Sequence, residues 1–143
     1  MSVLWGIAVT ALSFLAWGGQ ALSWLAPATA VRFGVMEAED DVELTFWADM
    51  RGEAVWDTFT LWTMAAAGIL LTADRPAWPY FGLVGGGIFL YFAGRGVLAR
   101  ASMRRLGLRI GTRRNVRVAF VFNSIWAMMA IVTIIAAVRS LET

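Results

Sequence analysis

Four long apolar stretches separated by short polar ones dominate the chain. Residues 3–25 lie inside an uncharged run extending from Met1 to Val31, and residues 54–73 carry one acid, Asp57, near their start. Residues 78–100 are apolar until Arg95, and residues 118–138 bear no formal charge. Each is long enough to cross a bilayer, which takes ~20 mostly apolar residues in a helix. Lipid offers open backbone groups no partner, so four such segments predict an all-α fold, an integral membrane antiparallel four-helix bundle. The bundle forms a single transmembrane domain over residues 1–143, with an acidic connector at 31–52 and a basic loop at 100–117. Ala28-Thr29-Ala30 resembles a signal-peptidase site, but the first stretch has no basic segment before it and is too long for a signal peptide.

Composition strengthens this reading. The chain is 59% hydrophobic and 15% charged, with a mean hydropathy of +0.67, whereas soluble domains carry about a quarter of charged residues. Cys and His are absent, which excludes disulfides, thiol chemistry, Cys/His zinc sites, His-ligated haem and Ser-His triads. All twelve basic residues are Arg, so Schiff-base and P-loop lysines are excluded too. No cofactor is expected.

Orientation follows from the arginines. Arg100, Arg104, Arg105, Arg109, Arg113, Arg114 and Arg117 crowd the loop between helices three and four, against Arg75 alone in the turn between helices two and three. The positive-inside rule then predicts a bacterial cytoplasmic (inner) membrane protein with both loops 31–52 and 100–117 inside and both termini outside. Trp78, Tyr80 and Phe81 mark the outer boundary with Trp5, and Trp24, Trp47 and Trp56 the inner one.

Within that frame, few residues carry chemistry. The acids Glu37, Glu39, Asp40, Asp41, Glu43 and Asp49 lack the ladder of a calcium loop, so no metal site is expected. Asp40-x-x-Glu43 ahead of Leu44, Phe46 and Trp47 reads as a capping box opening a short helix in the inner interface. Glu53 and Asp57 share a helix face four residues apart. By helical rise, Asp57 sits ~6 Å past Glu53, Arg95 ~7.5 Å before Arg100, Gln20 ~7.5 Å before Leu25, and Asn123 ~7.5 Å past Val118. All four helices thus place a polar group at one depth. Gln20, Glu53, Asp57, Arg95 and Asn123 are therefore the candidate ligand-binding residues, with Asp57 and Arg95 expected to pair. The same level read without a ligand is glue that fixes helix register. Gly82 and Gly86 form a GxxxG pair for close packing, within the bundle or between copies. The arginine loop has no aromatic interleaving, so it reads as a lipid-attracting, topology-setting segment and not as a nucleic-acid surface.

Trp24-Leu25-Ala26-Pro27 closing helix one, Arg51-Gly52 before helix two and the glycine-rich third helix together resemble small bacterial four-helix membrane proteins, broadly DoxX-like. The resemblance implies the four-helix membrane layout and transfers no functional residue. The expected function is that of a small non-catalytic membrane protein. It would serve as an accessory or binding subunit that holds a lipid-like or quinone-like ligand, or docks to a larger membrane complex. Its expected partners are membrane lipids, a second copy of itself or that complex, and no nucleic acid. A homo-oligomeric transporter or channel ranks second, because helices one, three and four have almost no polar stripe in their outer halves. A membrane enzyme using the Glu53 and Asp57 carboxylates ranks third.

Overall fold

The structure, a computed structural model, describes residues 2–142; Met1 and Thr143, the ends of the expected domain, lie outside the described residues. Six helices follow one another: α1 (Ser2–Leu25), α2 (Pro27–Arg32), α3 (Leu44–Thr60), α4 (Trp62–Thr72), α5 (Trp78–Arg105) and α6 (Arg113–Leu141), with one 3-10 turn at Glu39–Asp41. α3 and α4 form a single rod, Leu44–Thr72, so four rods are long and apolar enough to cross a membrane. The all-α membrane bundle is the observed architecture.

The rods overrun the boundaries read from the sequence. Helix two begins at Leu44 instead of 54, helix three ends at Arg105 instead of 100, and helix four begins at Arg113 instead of 118. Charge marks where an apolar layer ends, but Arg and Glu are good helix formers and let a rod continue into water. The connectors therefore shrink to 33–43 and 106–112. The capping box also fails. Glu43 is the N-cap of α3 but makes no cap bond with its side chain, because that carboxylate accepts instead from the Arg109 amide at 3.1 Å. The short interfacial helix is the first part of the second rod.

Small residues set the packing. α1 lies against α3 and α4, α4 against α5, and α5 against α6. A Cβ on Gly68 would come within 2.7 Å of the Thr10 nitrogen, and one on Gly85 within 2.6 Å of the Met64 nitrogen, so these backbones touch. Gly82 and Gly86 face Ala137, Thr133 and Ile134 of α6, which places the GxxxG pair inside the bundle. Partners run in opposite order along neighbouring rods: Gly68 and Thr58 meet Thr10 and Trp17, while Gly86 and Gly96 meet Ile134 and Asn123. The core between them holds Val9, Leu61, Met64, Phe89 and Met129, and Trp5 packs against this core.

Interruptions and ends are covered by side chains. At Leu61, where α3 gives way to α4, the carbonyls of Thr58, Phe59 and Thr60 accept from Trp17 Nε1, Trp62 Nε1 and Thr63 Oγ1. Arg51 donates to the last carbonyls of α1, those of Ser23 and Trp24, which otherwise lack partners at a helix C-terminus. Gly34 and Gly107 close α2 and α5 with left-handed backbone. Each brings the next residue's N–H back onto the final turn, Val35 to Ala30 and Leu108 to Met103.

Candidate functional site

The expected polar level divides into two sites. Arg95 donates through Nη2 to both Asp49 oxygens, at 2.7 and 2.8 Å, and through Nη1 to Glu53 Oε1 at 2.9 Å. It makes no bond to Asp57, contrary to the pairing expected from depth. Asp49, Glu53 and Asp57 succeed one another by whole turns of α3, and a long arginine side chain reaches either of two turns. It settles on the pair nearer the end of the rod, where Arg95 and Asp49 keep 32% and 44% of their side-chain surface exposed and desolvation costs less. Asp57 is buried with Oδ2 unpartnered.

The second site is a cleft of about 300 Å³ between α1 and α6, which otherwise scarcely touch. Leu15, Ala16, Val118, Ala119 and Phe122 form apolar side walls, and Phe92 stands at the back. Trp126 lines it as well, its Nε1 donating to the Leu12 carbonyl at 2.9 Å and so tying α6 to α1 beyond the cleft. Gln20, Glu53 and Asn123 line it as expected residues of the site, whereas Asp57 and Arg95 do not. Arg100, Ser23, Glu37 and Asn115 take their place.

Three of these lining groups have defined settings. The Asn123 Nδ2 donates to Ala119 at 2.7 Å, while its buried Oδ1 has no partner and rests over Gly96, where any Cβ would collide with it. Arg100 donates through Nη1 to the Gly96 carbonyl at 3.0 Å and stacks 5.4 Å above the Phe46 ring. Its Nε is buried without a partner. Glu37 is buried, accepts from Asn115 Nδ2 at 3.0 Å, and lies directly on Gly111, whose φ of 115° and missing Cβ make room for it.

Glu37 belongs to a cap over the end of the cleft. The two connectors meet through a single antiparallel bridge, Val42 to Ile110. Around it, Glu43 N donates to the Arg109 carbonyl at 2.9 Å and Arg109 Nη1 to the Asp40 carbonyl at 2.7 Å. Beneath lie Ala30, Met36, Val42, Phe46, Met50, Ile110 and Val116 as a second apolar cluster. Burial pushes the Glu37 carboxyl above the ordinary glutamate range, against the pull of the Asn115 amide and of Arg100. Among the described residues no three acids converge as a metal site.

Compared with known protein families, curated proteins and solved structures, the chain matches none. The site therefore speaks through its own geometry. Sequence alone puts Arg100 in the arginine loop and Glu37 among connector acids that form no metal site. The signal for Arg100 lay in helical phase: it is four residues after Gly96 and shares its face, but sits ~140° around the helix from Arg95.

Two outcomes follow. In a thermal-stability cycle, Arg95→Gln and Glu53→Gln should couple by about 1 kcal/mol, as expected of a partly exposed pair, whereas Arg95→Gln and Asp57→Asn should couple less strongly, because Asp57 meets Arg95 only through space. Glu37, with its carboxyl raised, favours its protonated form in the docked cap, so its contribution is full at low pH and is lost as pH rises through the raised value. Glu37→Gln keeps an acceptor for Asn115, and should raise the melting temperature near pH 7 and flatten its fall between pH 4 and 8. An unchanged profile would place the pH dependence elsewhere.

Proposed function

We propose that this chain is a small non-catalytic binding protein of the membrane that takes a lipid-like or quinone-like amphiphile into the cleft between α1 and α6. The cleft carries this reading. Its volume lies at the lower end of the roughly 300–1,000 Å³ of small-ligand pockets, and apolar walls lead to a polar end bearing Gln20, Glu53, Arg100 and Asn123. Such a gradient suits a molecule with an apolar body and a polar head. Carboxylate, guanidinium and amide groups suit recognition, and the chain has neither Cys nor His for covalent or imidazole chemistry.

The seven arginines between residues 100 and 117 support a bacterial inner-membrane setting in which this polar end faces the cytoplasm and both termini face out. An impermeant thiol reagent on intact cells should then label a Glu142→Cys variant and spare Ser102→Cys. The reverse pattern would invert the topology.

Binding is tested by intact-mass measurement of the protein purified in a mild detergent. One amphiphile per chain should be retained. The variant Ala119→Trp, which fills much of the cleft from α6, should retain at least fivefold less at an unchanged melting temperature. Equal retention by the two proteins would move the ligand to another surface.

A further inference from the structure

We infer that the polar head held in this cleft is an oxyanion, a phosphate or carboxylate group, and that Arg100 is its anchor; the inference rests on the cleft being the binding site. Two arginines stand close together on α5 and are matched very differently. Arg95 is shared by two carboxylates, Asp49 and Glu53, all within 2.9 Å. Arg100, which lines the cleft, has no carboxylate within 4.0 Å among the described residues. One donor of Arg100 meets the Gly96 carbonyl, a ring face lies under the guanidinium, and Nε has no partner.

The neighbouring acids do not fill this gap. Glu37 and Glu53 lie near enough to attract Arg100 through space, but each is committed elsewhere. Glu53 bonds to Arg95, and Glu37 to Asn115 over Gly111. A guanidinium withdrawn from water without a paired anion is costly. With Nη1 bound to Gly96, the edge left over is the Nε and Nη2 fork, whose two parallel N–H groups match two oxygens of one oxyanion. Taking up the head requires this edge, whose Nε is buried, to turn toward the cleft. Gln20 lines the same end and adds a neutral amide donor.

The same oxyanion chemistry belongs to an anionic lipid and to a free anion. The apolar walls and the opening between α1 and α6 favour the lipid.

The experiment uses the full chain in detergent micelles and reads tryptophan quenching by phospholipids with brominated acyl chains, phosphatidylglycerol against phosphatidylcholine. Trp126 lines the cleft, so the component lost in Trp126→Phe reports on it. Phosphatidylglycerol should quench that component at least tenfold more tightly than phosphatidylcholine in the unaltered protein. Arg100→Gln should erase the preference and leave the phosphatidylcholine curve in place, whereas Arg104→Gln, exposed at the same helix end, should keep it. Equal quenching by both lipids in the unaltered protein, or a tenfold preference surviving Arg100→Gln, overturns the inference. Because the first comparison involves no variant at Arg100, a folding defect in Arg100→Gln cannot decide it. If both lipids quench alike and Ala119→Trp blocks both, the cleft remains a site and only the oxyanion anchor fails. If neither quenches the Trp126 component, the cleft reading fails and this inference with it. Inorganic phosphate at millimolar concentration identifies the source: no displacement of phosphatidylglycerol supports a lipid head, and displacement supports a free anion on the same anchor.

Discussion

Charge carried beside an apolar layer must be matched inside the bundle, and α3 is where this protein meets that constraint. Asp49, Arg51 and Glu53 occupy one short stretch of it. Their partners lie on different helices: Arg51 takes the open carbonyls of α1, and Asp49 with Glu53 takes Arg95 of α5. Backbone contact between α3 and α5 is slight, so these ion pairs fasten α3 to α5, while the close contacts of Gly68 and Gly85 fasten α4 on both sides. The rod thus changes its mode of attachment at Leu61, from charge to close packing.

That division leaves room for the cleft. Four rods are fastened in sequence, α1 to α3 and α4, then α5, then α6, but the first and last are hardly joined. Polar contacts close the cleft at two levels instead, the Trp126 bond to Leu12 beyond it and the Glu37 cap before it. Both ends being closed by side chains, the gap between α1 and α6 is the side left for an apolar molecule.

The spans were legible because a bilayer imposes one length and one polarity on any helix that crosses it. The expected level of Gln20, Asp57, Arg95 and Asn123 came from the same source, since rise per residue converts directly into depth. Depth does not specify direction around the helix. Arg95 and Arg100 are ~7.5 Å apart in height but also point ~140° apart, so the residue singled out by depth faces the acids of α3 and the one assigned to the loop faces the cleft. Arginine adds its own ambiguity, because its reach exceeds a helical turn and the choice between Glu53 and Asp57 belongs to solvation. Glu37 was illegible for a third reason. Its burial depends on Gly111, distant in sequence, having the left-handed backbone and missing Cβ that accept a carboxylate.

The cap and the anchor are electrically linked, and this bears on how the cleft is occupied. Glu37 holds the connectors together and also attracts Arg100 from across the cleft. Within the chain, that attraction and the one from Glu53 are what Arg100 has in place of a paired anion. An oxyanion arriving on Arg100 supplies a closer partner, but its charge also opposes that of an ionised Glu37 and favours the protonated form that burial already favours. Occupation of the anchor and protonation of the cap acid therefore push in the same direction. The acidic connector, which looks in sequence like solvated charge far from any site, supplies the group through which the cap and the cleft sense one another.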